Sequence, residues 1–188
     1  MTDGTDLETI RRVQKDAERL YARAEIELAV DRAVAAISAR LGGTNPLLLV
    51  VMQGGVVFAG HLLTRLTFPL QVDYVHVTRY HGGTEGRDLH WLRPPPDLLR
   101  GRTVLLVDDI LDQGTTLAMI AERCKSNGAA AVYTAVLVEK DIARQRGPAH
   151  ADFAALHAPD RYLFGWGMDY HHYLRNADGI YAVREDDR

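Results

Sequence analysis

The sequence predicts an α/β fold with a central, mostly parallel β-sheet flanked by helices. Two observations carry this. Leu47–Met52 and the stretches 103–107 and 130–138 are short, continuous apolar runs, as expected of strands covered on both faces. The segments between them carry helical periodicity, and glycines punctuate the changes at Gly42-Gly43, Gly54-Gly55 and Asn127-Gly128. Strand, helix, strand, helix, strand is the order of a parallel sheet built from βαβ units.

Taken in order, Leu7, Ile10, Val13 and Leu20 predict one helix. Ile26, Val30, Val34, Ile37 and Leu41 predict a second, which Gly42-Gly43 ends. Leu47–Met52 is the first buried strand. A helical stretch follows Gly54-Gly55 and runs to about Arg65. The alternation over 72–77 is a strand signal, and 89–92 reads as a return strand. Between them, 81–87 holds three glycines and reads as a mobile loop. Then come the strand 103–107, a helix over 116–125 and the strand 130–138. Cys124 keeps helical spacing with Leu117, Ile120 and Ala121, so it reads as core. Beyond Lys140 the spacing is irregular, with short strands expected at 162–166 and 180–183. We expect one domain over 1–188, with a core of about 24–140 and a small hood of about 141–188 that includes part of the N-terminus.

Composition narrows the function classes. The 188 residues are 47% apolar and 25% charged, enough for a real core in one domain. A net charge of −3 gives no global attraction to nucleic acid or anionic lipid. A single cysteine excludes an internal disulfide and any cysteine-based zinc site. The N-terminus is polar and acidic, unlike a secretory signal, and Leu47–Met52 is too short to span a bilayer. A cytoplasmic protein with no nucleic-acid or membrane partner is expected. The adjacent His171 and His172 would face opposite ways on a strand, so no histidine metal site is expected.

The strongest chemical signal is Val104-Leu105-Leu106-Val107-Asp108-Asp109-Ile110-Leu111-Asp112-Gln113-Gly114-Thr115-Thr116. A buried strand ends in two carboxylates, a short loop follows, and a helix begins. Parallel sheets bind ligands where strands end. A loop entering a helix N-terminus offers unpaired N–H groups that suit a phosphate. Gly114 allows close approach, and Thr115 and Thr116 add hydroxyl donors. Asp108 and Asp109 would repel a phosphate. They can instead accept hydrogen bonds from sugar hydroxyls or hold a hydrated Mg2+. A ligand with a phosphate, a diol and a metal fits, and phosphoribosyl pyrophosphate is one.

This segment resembles the phosphoribosyl pyrophosphate motif of type I phosphoribosyltransferases, and the likeness to the hypoxanthine-guanine branch runs from about Ala24 to Val183. The resemblance implies that Asp108 and Asp109 bind the ribose hydroxyls, that Asp112 is the general base near purine N7, and that Gln113, Gly114, Thr115 and Thr116 cradle the 5′-phosphate. Gln53, Gly54 and Gly55 match the pyrophosphate loop, which often holds a non-proline cis peptide. Gln53 stands where relatives usually carry Lys. Lys140 matches the lysine that donates to the purine 6-oxo group. Over 159–170, Tyr162 would stack on the base, the Leu163 backbone would contact its edge, and Asp169 would sit near Mg2+, with Asp108 and Asp109 as further candidates through water. Arg175 matches an arginine that binds pyrophosphate. Arg79-Tyr80 match the start of a loop that closes over the site, with Arg79 in place of the usual serine. Trp166 reads as core.

The resemblance also implies the reaction. A 5-phosphoribosyl group passes to N9 of hypoxanthine or guanine, giving IMP or GMP and pyrophosphate in purine salvage, with Mg2+ as cofactor and a homodimer or homotetramer as the assembly. Two alternatives stay open: a xanthine-preferring enzyme, and a non-catalytic nucleotide-sensing regulator on the same fold.

Overall fold

A computed structural model of the chain describes residues 6–79, 89–143 and 150–187. The elements are α1 (Leu7–Asp16), β1 (Glu18–Tyr21), α2 (Arg23–Leu41), β2 (Leu47–Met52), α3 (Val56–Leu63), β3 (Gln71–Arg79) and β4 (Leu89–Arg93). They continue with β5 (Thr103–Leu111), α4 (Thr115–Ser126), β6 (Ala131–Lys140), β7 (Phe153–Ala158), β8 (Leu163–Phe164) and β9 (Ile180–Ala182). Six strands form the main sheet in the order β4-β3-β2-β5-β6-β7. All its pairings are parallel except β3 with β4. The α/β expectation therefore holds.

Continuous apolar runs are what a two-sided sheet requires. In β2, Leu48 and Val50 join a core with Ile26, Val30 and Ile37 of α2 and Phe58 and Leu62 of α3. Leu47, Leu49 and Val51 point the other way, into a core with Leu117, Ile120 and Cys124 of α4. Each side chain moved from water to one of these cores contributes roughly 1.5–3 kcal/mol.

Three departures from the expected elements have clear causes. Leu20 is not in the first helix. The chain turns extended at Ala17, and Glu18–Tyr21 pairs with β9, so Leu20 belongs to β1. β7 was not expected, because Phe-Ala-Ala-Leu-His-Ala has little β-propensity. It is recruited by pairing with β6 and by packing against α2, although it lies within the span read as hood. Finally, the strand does not stop at the acidic pair. The ladder between β5 and β6 continues through Asp108 opposite Val136, Ile110 opposite Val138 and Leu111 opposite Glu139.

A second sheet, β1-β9-β8, joins the two ends of the chain. Behind it, Ile10 and Val13 of α1 are buried with Phe164, Tyr170, Leu174 and Val183. Arg12 also pairs with Asp187 at 2.6 Å.

Candidate active site

Four pieces of backbone converge at the carboxyl edge of the main sheet. The end of β5 carries Asp108, Asp109 and, just beyond it, Asp112. Gly114 then turns the chain at φ +75°, a left-handed conformation that glycine takes without strain, and α4 opens with Thr115 and Thr116. Gly114 is the N-cap of this helix. The end of β2 passes through a cis peptide between Met52 and Gln53, in line with the resemblance. Lys140 is the last residue of β6, which runs two residues past the strand expected over 130–138. The fourth piece is the crossing from Pro159 into β8.

Close backbone packing joins these pieces. A Cβ on Gly54 would lie 2.0 Å from Asp109 Oδ2, and a Cβ on Gly167 would lie 2.2 Å from the Gly54 carbonyl oxygen. A side chain at either point would collide with these atoms, so the segment at Gly54 is pressed between the acidic strand and the turn before Asp169.

A cleft of about 260 Å³ opens beside this contact, lined by Asp109, Ile110, Asp112, Lys140, Tyr162, Leu163, Met168 and Asp169. Six of these were expected site residues. Ile110 and Met168 were not, since an isolated apolar residue beside a motif gives no sign that it faces a ligand. Asp108, Gln53, Gly54, Gly55, Gln113, Gly114, Thr115, Thr116 and Arg175 do not line the cleft. Arg79 ends β3, and Tyr80 lies outside the described residues, as does the stretch 81–87.

The charges are arranged in two groups. Lys140, only 7% exposed, lies 3.2 Å from Asp112 Oδ2 and 3.3 Å from Asp160 Oδ1. Asp160 received no role from the sequence, although it sits two residues before Tyr162. Across the cleft, Arg175 pairs with Asp169 at 2.7 Å, approaches Asp109 at 3.9 Å, and donates to the Gly167 carbonyl at 2.5 Å. Asp169 also accepts the His172 backbone N–H at 2.8 Å. His171 and His172 lie in a turn with φ of 48° and 68°, not on a strand.

Burial, and then the neighbouring charge of Asp109, push the Asp108 carboxyl well above the usual carboxylate range. Burial also raises Asp109, with Asp108 and Arg175 opposing the rise. Such a pair invites hydroxyl donors or a cation. Tyr162 is 40% exposed at the cleft and meets Tyr170 edge-on, with ring centroids 5.7 Å apart. Trp166 is core as expected, stacked on His61 at 4.4 Å.

Among the described residues, no group of three or more His, Cys, Asp and Glu is placed to hold a metal ion. Asp169, with oxygen donors at the cleft, suits a hard cation that takes one or two carboxylates and completes its shell with substrate phosphates.

Residues 16–171 match the family model described as the phosphoribosyl transferase domain. The chain belongs to this family. This phosphoribosyl transferase is 30% identical to the hypoxanthine-guanine phosphoribosyltransferase of Streptococcus agalactiae over 168 residues, 89% of this chain and 93% of the relative. It is 29% identical to the hypoxanthine-guanine-xanthine phosphoribosyltransferase of Tritrichomonas foetus, over 90% of this chain and 93% of the relative. Its fold matches a hypoxanthine phosphoribosyltransferase from Staphylococcus aureus with a TM-score of 0.85, 24% identity and 98% coverage of both chains.

Proposed function

We propose that this enzyme transfers the 5-phosphoribosyl group of phosphoribosyl pyrophosphate to N9 of a 6-oxopurine, hypoxanthine or guanine, in purine salvage. One observation carries the reading: a single cleft holds a carboxylate at Asp112, a nearly buried ammonium at Lys140 and an exposed aromatic face at Tyr162. These are the groups needed to take a proton from a purine, read its C6 substituent and stack on its ring.

Asp108 and Asp109 accept hydrogen bonds from the ribose hydroxyls, which relieves their mutual repulsion. Gln113, Gly114, Thr115 and Thr116 hold the 5′-phosphate at the start of α4. The backbone at Gln53, Gly54 and Gly55, with Arg175, receives the pyrophosphate. Asp169 would hold Mg2+, with Asp108 and Asp109 reaching it through water, and the ion would supply charge neutralisation on the leaving pyrophosphate. Tyr162 stacks on the base, and the Leu163 backbone meets its edge. Asp112 accepts the N7 proton as N9 bonds to the sugar. Lys140 donates to a C6 carbonyl, whereas the amino group of adenine would present it with donors. Arg79 and Tyr80 begin the loop that shields the activated sugar from water.

Xanthine is the second reading for the base, supported by the name of the Tritrichomonas foetus relative. We read the assembly as a cytoplasmic homodimer or homotetramer. Val72 and Tyr74, large apolar side chains exposed on one face of β3, support association. Light scattering would check the assembly. The activity is tested by supplying Mg2+, phosphoribosyl pyrophosphate and one base at a time. Nucleotide from hypoxanthine and guanine but not adenine is expected. Turnover chiefly with xanthine would move the specificity, and none with any base would sink the enzyme.

A further inference from the structure

We propose that Asp160 is a positioning residue for the proton-transfer step, supplying the counter-charge that keeps Lys140 paired while Asp112 is protonated. This rests on the phosphoribosyl transfer proposed above. Lys140 Nζ lies 3.2 Å from Asp112 and 3.3 Å from Asp160, so two carboxylates from different elements share one nearly buried cation. Asp112 belongs to the loop after β5, and Asp160 to the turn before β8. Lys140 and Asp112 line the cleft, whereas Asp160 does not, so Asp160 acts through the lysine rather than on the base.

The charge balance shows why two acids are needed. Before transfer, one ammonium and two carboxylates sum to −1. During transfer the N7–H bond breaks, its electron pair stays on the purine nitrogen, and an O–H bond forms on Asp112. The three groups then sum to zero, and Asp160 remains a carboxylate within pairing distance of the lysine. Without Asp160, the same step would remove the charge of the other acid beside an ammonium that is largely out of water. Its side chain is 65% exposed, against 47% for Asp112, so it is the more solvated of the two carboxylates.

Single-turnover nucleotide formation from hypoxanthine tests this in the full-length protein, because it isolates chemistry from product release. Asp160→Asn should slow the step about tenfold, the effect of removing a charged partner from a buried group. The KM for hypoxanthine should stay within about twofold, since the effect arises in the transition state. Asp160→Glu should recover most of the rate. In a Lys140→Met background the Asp160→Asn effect should vanish, because no ammonium remains to be balanced. Should Asp160→Asn fail to fold, Asp160→Ser takes its place. An unchanged rate, a rise in KM with the rate intact, or an equal loss in the Lys140→Met background would overturn the role. An inactive wild type would overturn the proposed activity and this role together, whereas an active wild type with an unaffected variant overturns the role alone.

Discussion

The segment from β5 into α4 and the lobe built from β1, β8 and β9 meet at one cleft but are made in opposite ways. In the first, neighbours in sequence are neighbours in space: two carboxylates, an acid, a left-handed glycine and two threonines follow one another. In the second, the parts come from both ends of the chain, and β1 finds its partner in β9. Tyr162, Leu163, Met168 and Asp169 line the cleft, while their neighbours Phe164 and Tyr170 pack against Ile10 and Val13 of α1. One region carries its chemistry locally, and the other acquires it through long-range packing.

That contrast can be broken by substitution. The largest effect should come from Asp112→Asn, which removes the proposed proton acceptor. A rate loss of roughly 10²–10⁴ is expected with phosphoribosyl pyrophosphate binding retained, and single-turnover kinetics beside calorimetry would check it. Next is Gly167→Ala, where φ is +108° and the added carbon would strike the Gly54 carbonyl, in the turn after β2 that lies against Asp109. We expect a loss of about 1–3 kcal/mol in chemical denaturation, together with weaker pyrophosphate binding. Val13→Ala lies outside the cleft yet behind the lobe. It should cost about 2 kcal/mol and raise the KM for the base more than that for phosphoribosyl pyrophosphate. Equal changes in both constants would erase the distinction between the regions.

The smallest effect is one of sign. Burial raises the Asp108 carboxyl, so near neutral pH the folded chain holds a proton more readily than the unfolded one. Stability should therefore rise as pH falls from neutral through the raised value, and this gain should level off at the ordinary carboxylate range. Asp108→Asn should flatten that slope and raise the neutral-pH Tm of the ligand-free protein while weakening phosphoribosyl pyrophosphate binding. Thermal scans across pH would show it.

The same contrast explains what was legible in the sequence. Leu47–Met52 and β5 are visible as apolar runs because both of their faces are covered, so no alternation dilutes the signal. Asp112, Lys140 and Tyr162 were found through the family resemblance of the segments that carry them, and all three line the cleft. Leu20 and β7 were missed because each becomes strand only by pairing with a distant partner. Asp160 was passed over for a related reason. A carboxylate in a polar turn reads as solvated until the end of β6 brings Lys140 to within 3.3 Å of it.

The β5–β6 ladder that runs past the acidic pair also bears on how this enzyme could change. Asp108 is held opposite Val136 and Leu111 opposite Glu139, so the positions just before Asp112 and Lys140 are locked into a shared register. A one-residue slip of either strand would move every side chain to the opposite face of the sheet. Selection for a new base therefore has little freedom along these strands. We expect a laboratory lineage driven toward xanthine to collect its substitutions around Tyr162, Leu163 and Met168, leaving the end of β5 and the start of α4 unaltered. The sheet edge would be inherited intact while the lobe drifts.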